Sequence, residues 1–204
     1  PHDCQLIDDG KVMVVTNGGL HFGHPSRGRV SFVEIATQKL VDQVIIDSEE
    51  KNAGHLFISP KGHLAIVSAE RDGLDETMHT GGITLRPAGG EPLLLWEPVD
   101  LLARMIGETL SVFIDDAHGI VAATTPAANL VTLWDIHSGN LIRSLNVPDP
   151  RGITMSLDGK YWVLSCSNAV LTFLDAETLE PAPMKPIFPS YTTGSHVISY
   201  NLAT

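Results

Sequence analysis

Histidines are the side chains in this 204-residue sequence that are best suited to chemistry, and there are nine of them. We predict that His2, Asp3, His55 and His196 converge on one point. Imidazole and carboxylate groups that meet in this way bind first-row metals such as iron, copper or zinc. The alternative is that they only hydrogen-bond to water. Neither His-Glu-x-x-His nor paired Cys-x-x-Cys spacing occurs, so a transition-metal cofactor is a hypothesis that rests on the fold.

A glycine-rich loop at 16–25 is the second candidate site. Its predicted binding residues are Asn17, Gly18, Gly19, His21 and His24. Glycines allow backbone N–H groups to face an anion. The loop has neither a P-loop lysine nor Rossmann glycine spacing, which argues against phosphate binding. We therefore expect either a binding loop for a protein partner or small ligand, or a plain connection between two strands.

No pattern in the sequence predicts a catalytic residue. Gly-x-Ser-x-Gly is missing. Carboxylate doublets occur at 8–9, 49–50 and 115–116, but adjacent residues on a strand point to opposite faces. Such doublets suit solvated turns and loops better than acid–base pairs. A non-enzymatic protein is the favoured interpretation.

Composition excludes several classes of partner. The net charge is −11, with 13 basic and 24 acidic residues, and no lysine or arginine run exists to neutralise phosphates, so nucleic acid is not an expected partner. No apolar run reaches the roughly 18 residues of a membrane-spanning helix. Cys4 and Cys166 are too few for a disulfide scaffold, and the sequence leaves their redox state and the oligomeric state open.

One strand–turn–strand pattern recurs four times along the chain. The hairpins cover 4–15, 56–67, 112–123 and 153–164, and their turns contain Gly10, Gly62, Gly119 and Gly159. A second pair of strands follows each hairpin, for instance in VTLWDIHSGNLIRSL at 131–145. The complete units run over 2–48, 52–99, 108–147 and 151–187. This period is typical of propeller blades, which repeat every ~40–50 residues.

The repeats predict an all-β fold, a single β-propeller domain over 1–204. We expect four-stranded antiparallel blades, about four of them, and a closing or extra strand at 194–202. A short connecting helix is predicted within 97–105, with Asp100 as its cap.

The propeller explains why the predicted metal ligands should meet. The first strand of each blade lines the central channel. Aligning the four turns places Asp3, His55, Ser111 and Gly152 at equivalent positions at the channel mouth. His2 comes one residue before Asp3, and His196 lies in the final predicted strand.

Several short motifs resemble a bacterial family of exported β-propellers of unknown function. They are PHDCQL at 1–6, TNGG at 16–19, LSVFIDD at 110–116, AATTP at 122–126 and LWDIHSG at 133–139. The resemblance implies export, often by a twin-arginine signal, and genes that neighbour imelysin-type iron-uptake proteins and di-haem peroxidases. It also implies a ring of about seven blades, of which this chain is the C-terminal portion. The family supplies no catalytic residues, and the polar stretch at 70–77 departs from its pattern.

Three functions follow as hypotheses. The favoured one is a non-enzymatic propeller that binds a protein partner or ligand, located in the periplasm and associated with iron acquisition. The second is a metal-dependent hydrolase of the lactonase type with its site at the central channel. The third is a cytoplasmic interaction scaffold, because Leu133-Trp134-Asp135 is similar to the signature of WD-repeat blades.

Overall fold

The computed structural model describes residues 1–21, 24–70, 79–191 and 196–201. It confirms the all-β fold and the propeller-like series of antiparallel sheets. Within these described residues, three sheets have four strands and one has three, and a separate two-stranded ribbon lies within the first unit. The sheets follow one another in chain order, so each repeat in the sequence forms its own blade.

Blades 1 and 2 are complete four-stranded sheets. Blade 1 consists of β1 (Cys4–Ile7), β2 (Val12–Asn17), β5 (Arg29–Glu34) and β6 (Lys39–Ile45), and the ribbon between β2 and β5 consists of β3 (Leu20–His21) and β4 (His24–Pro25). Blade 2 consists of β7 (Leu56–Ile58), β8 (Leu64–Ser68), β9 (Gly82–Arg86) and β10 (Leu93–Leu94). One helical turn, α1 (Val99–Leu102), follows blade 2, and its N-cap is Pro98 rather than the predicted Asp100.

Blades 3 and 4 complete the series. Blade 3 consists of β11 (Ser111–Asp115), β12 (Ile120–Thr125), β13 (Leu130–Asp135) and β14 (Leu141–Asn146), with a short 3₁₀ turn at Pro126–Ala128. Blade 4 consists of β15 (Pro150–Met155), β16 (Tyr161–Cys166) and β17 (Val170–Asp175).

The outer edge of blade 4 differs from the expected four-stranded sheet. Single bridges, Leu171 to Ile187 and Leu174 to Pro181, take the place of a fourth strand. The sequence between these bridges is PAPMKPI, and each proline lacks the N–H that a continuous ladder needs. The predicted strand at 194–202 is likewise absent from its described part, 196–201, which runs past the blades without regular pairing.

The first turn of each blade contains a glycine in the same backbone conformation. Gly10, Gly62, Gly119 and Gly159 all have positive φ, between +68° and +86°. Residues other than glycine rarely adopt this conformation. It lets two short strands reverse direction within a few residues. The predicted hairpins are therefore confirmed at their turns.

Three buried clusters hold the four blades together, one at each contact between successive blades. Strand β8 shows how a single strand serves two of them: Leu64 and Ile66 face blade 1, while Ala65 and Val67 face blade 3. This alternation follows from the two-residue period of a strand. The inner strands consequently lie side by side, since β7 contacts β1 and β11, and β11 contacts β15.

The face of blade 1 that points away from blade 2 has no such cluster among the described residues. A row of apolar residues crosses it, formed by the pairs Leu6–Met13, Met13–Val33 and Val33–Leu40. Leu6 is 58% exposed and Leu40 57%. A ring with further blades stays a prediction. In the described part of the chain, no helix has the length and apolar character to cross a bilayer.

Candidate metal centre at the axial channel

Three blades deliver one potential metal ligand each to the same point. His2 precedes β1, His55 precedes β7 and Glu108 precedes β11, so all three enter from the end of the propeller at which the inner strands begin. Their ligand atoms all lie within 4.8 Å of one another. His2 is exposed, whereas His55 and Glu108 are partly buried. The cluster therefore sits at the mouth of the channel, accessible to solvent.

The distance between the two histidines fits a shared metal ion. Nε2 of His2 lies 3.0 Å from Nε2 of His55. This is a hydrogen-bond distance, and it is also the separation of two nitrogens bound at about 2.1 Å and at right angles on one ion. Two histidines and one carboxylate are the ligand set of non-haem iron(II) proteins and also of catalytic zinc sites.

Asp3 orients His55 from the opposite side of the ring. Its Oδ2 lies 3.3 Å from Nδ1 of His55 and accepts the N–H of Leu56 at 3.1 Å, while Oδ1 accepts the N–H of Cys4 at 2.8 Å. Burial raises the pKa of Asp3, but the hydrogen bonds from His55, Leu56 and Cys4 outweigh it, so the pKa lies below its ordinary value. An ionised Asp3 holds the proton of His55 on Nδ1, so Nε2 carries a free lone pair that points toward His2. A carboxylate behind a histidine is the usual second partner of a metal-binding imidazole.

His196 packs against this cluster from the end of the described chain. Its ring centroid lies 4.3 Å from that of His55, and its Nδ1 lies 2.8 Å from Oγ of Ser111. Burial and the neighbouring His55 lower the pKa of His196 below its ordinary value. The structure thus brings together all four residues predicted from the sequence, with His2 and His55 in the ligand cluster and Asp3 and His196 beside it.

Gly152 allows the terminal segment to reach this position. A Cβ at residue 152 would lie 2.5 Å from Oγ of Ser165 and 2.6 Å from the backbone N of Val197. Only a residue without a side chain permits this approach. Farther along the segment, the hydroxyl of Ser199 donates to the backbone O of Met155.

A cavity of about 320 Å³ lies next to the cluster. Its polar wall includes Asp3, His55, Ser111 and His196, and it has an apolar side that includes Phe57 and Phe113. The centroids of these two phenylalanine rings are 4.3 Å apart. His55 belongs to the ligand cluster and also lines the cavity, so the cavity and the candidate metal site are adjacent.

A family model described as "Protein of unknown function (DUF1513)" matches residues 1–187. The match covers all four blades together with His2, His55 and Glu108. The chain belongs to the DUF1513 family. No curated protein matches the sequence. His196 lies outside the matched residues, so the family match includes the ligand cluster and Asp3 but not the terminal segment.

Asn17, Gly18 and Gly19 of the glycine-rich loop are not members of the ligand cluster of the DUF1513 chain, and the side chains of His21 and His24 lie outside what the structure describes. Asn17 ends β2, and His21 pairs with His24 across the ribbon. The backbone O of Gly19 accepts both the N–H and the hydroxyl of Ser26, at 2.9 and 2.8 Å. The base of the loop packs at Gly18 near Asn52. A partner or ligand at Asn17, Gly18, Gly19, His21 and His24 stays a prediction.

Glu108 is the member of the DUF1513 cluster that the sequence did not predict. Alignment on the hairpin turns placed Ser111 opposite Asp3 and His55, and Ser111 instead bonds to His196. The ligands precede their strands by unequal offsets, because His2 lies two residues before β1, His55 one before β7 and Glu108 three before β11. A search for acidic or histidine residues just upstream of each inner strand would have found Glu108.

Proposed function

We propose that this DUF1513 chain is a metal-binding propeller that holds one first-row transition-metal ion, iron(II) by preference, through His2, His55 and Glu108. The observation that carries the proposal is the convergence of these three ligand atoms within 4.8 Å. The 3.0 Å separation of the histidine nitrogens supports it, because both can then reach one ion. The carboxylate of Asp3 supports it as well, because it holds the proton of His55 on Nδ1 and leaves Nε2 free to bind the ion.

The cellular setting that we propose is the bacterial periplasm, with a non-enzymatic binding role in iron acquisition. Its support is a ligand set that suits iron among other first-row metals, together with the sequence motifs that resemble exported propellers. Partners in this setting would be a protein or a small ligand presented at the mouth of the channel, where the metal ion is accessible.

Metal content tests the proposal directly. The purified chain is loaded anaerobically with iron(II), desalted and analysed by mass spectrometry for bound metal. We expect close to one equivalent in the parent protein and loss of binding in His55→Ala and Glu108→Gln. His137→Ala is the matched control, since His137 is exposed and lies outside the cluster. A chain that binds no metal, or whose Glu108→Gln variant binds as well as the parent, overturns the proposal.

A metal-dependent hydrolase of the lactonase type is a second candidate, and one contact favours it. Ser111 Oγ and His196 Nδ1 lie 2.8 Å apart on the wall of the cavity, the spacing of a nucleophile and its base. Hydrolysis of a γ-lactone or of p-nitrophenyl acetate by the metal-loaded chain, lost both without metal and in Ser111→Ala, would support this function. A rate no higher than that of the metal-free chain would exclude it.

A further inference from the structure

The ligand cluster leaves room for a second molecule on the metal ion. Three protein ligands on one face of an octahedral ion leave three adjacent positions open. Two neighbouring oxygen atoms of one organic molecule fill two such positions at once, as a chelate. His55 lines the cavity and also belongs to the cluster, so the cavity is the neighbouring space available to a molecule that chelates the ion and extends past this ring.

The cavity has room for a small molecule. Its volume is about 320 Å³. A cavity of about 150 Å³ in another protein holds benzene. The space next to the cluster is therefore sufficient for one substituted aromatic ring.

The lining favours an aromatic body with polar substituents at one end. Phe57 and Phe113 are partly buried and line one side of the cavity, with ring centroids 4.3 Å apart and planes inclined by 35°. Aromatic ligands pack on such rings in offset or edge-to-face geometry. The hydroxyl of Ser111 and the ring of His196 lie on the polar wall and offer hydrogen bonds.

We propose that the cavity binds a single-ring catechol, whose two adjacent oxygen atoms chelate the ion at His2, His55 and Glu108 while its ring packs on Phe57 and Phe113. This inference rests on the proposed metal-binding function. It names the ligand class of that site, a small aromatic oxygen chelator, and distinguishes it from aliphatic hydroxy acids, which would gain nothing from the two phenylalanines.

The test uses the full chain loaded with iron(III) alone, titrated with catechol and, separately, with citrate. Catecholate bound to iron(III) produces a visible charge-transfer band, and dialysis of the iron-loaded chain measures retention of the ion. We expect a saturable band with catechol, and about tenfold weaker catechol binding in Phe57→Leu and Phe113→Leu with unchanged iron content. Phe188→Leu is the matched control, because Phe188 is 72% exposed and is not among the cavity residues.

The outcomes distinguish failure of the catechol site from failure of the metal site. Retained iron with no catechol band, or with equal catechol affinity in the Phe57 and Phe113 variants, overturns the catechol site and leaves the metal site standing. Citrate binding as tightly as catechol also overturns it. A chain that retains no iron(III) here and binds no iron(II) in the anaerobic loading experiment removes both proposals, whereas one that binds only iron(II) overturns the catechol site alone. Melting curves of the two leucine variants verify that weaker binding does not come from unfolding.

Discussion

The carboxylate of Asp3 lies 3.3 Å from Nδ1 of His55, on the side of the imidazole ring away from His2. Asp3 is itself held by the backbone N–H groups of Cys4 and Leu56, at the start of β1 and β7. One side chain therefore links the inner strands of two blades and sets the tautomer of a candidate metal ligand. Blade packing and metal geometry are coupled at this residue.

Replacing Asp3 by asparagine should weaken metal binding without removing a ligand. The amide cannot stabilise the Nδ1–H tautomer of His55 as a carboxylate does, and loss of such a partner typically lowers metal affinity 10–100-fold. Competition titration with a chromophoric chelator measures the change. Asp8→Asn is the control, since Asp8 lies in the exposed first turn at φ +52°, a conformation that asparagine tolerates. Equal affinity in the Asp3 and Asp8 variants would contradict the role assigned to Asp3.

Local sequence patterns predict much of the fold. Each inner hairpin was predictable because a turn glycine stands between two short apolar strands, as at Gly62 between β7 and β8. The same alignment predicted that Asp3 and His55 meet, since equivalent residues of inner strands surround one channel. His196 was predicted only through its place in a final strand, and it arrives instead from an irregular segment.

Features that depend on several segments at once were not predictable. The separation of Glu108 from His2 and His55 depends on how three connecting segments enter their blades, and the sequence spacing differs in each. The prolines at 181, 183 and 186 disfavour a fourth strand in blade 4, but the apolar residues around them are typical of a strand. Position 152 was identified by alignment, whereas the need for glycine there appears only when the terminal segment runs past it.

Trp162 should be the most costly residue to remove from the contact between blades 3 and 4. Its side chain is fully buried in the cluster that joins these blades, with Phe113 at a ring-centroid distance of 6.2 Å. Truncation of a buried tryptophan typically costs about 3–5 kcal/mol through lost contacts and the cavity left behind. Urea unfolding followed by far-UV circular dichroism gives the change for Trp162→Ala. Trp96→Ala should stay within about 0.5 kcal/mol, since Trp96 is 58% exposed. Similar losses in both variants would show that burial does not decide the effect.

The charge of Asp135 should stabilise blade 3 in a pH-dependent way. The backbone N–H of Ser138 lowers the pKa of Asp135 most, burial opposes this, and the hydroxyl of Ser138 and the N–H of His137 lower it further. Because the folded-state pKa lies below the ordinary value of 3.8, the stabilisation is complete above that pH and is lost as the pH falls through the folded-state pKa.

The Asp135→Asn variant isolates this effect. We expect it to be about 1 kcal/mol less stable at pH 7, a modest value because the carboxylate is largely solvated. As the pH falls through the folded-state pKa, the urea midpoints of the two proteins should converge, since protonated aspartate carries no charge. Glu91→Gln, at an exposed loop position, should change little over the same pH range. A difference that stays constant as the pH falls would mean that the charge of Asp135 is not its source.

Gly152→Ala should displace the terminal segment from the channel. The added methyl group would lie 2.6 Å from the backbone N of Val197 and 2.5 Å from Oγ of Ser165, and backbone atoms cannot yield as a flexible side-chain end does. We expect a loss of about 1–3 kcal/mol if the segment stays in place, or a smaller loss with the segment released. Release would separate His196 from Ser111, so limited proteolysis near residue 196 reports it even when stability changes little. Gly18→Ala is the control, because its nearest neighbour would be Cβ of Asn52 at 3.9 Å. If the Gly152 variant matches the parent in both stability and proteolysis, the terminal segment does not lie against β15 in solution.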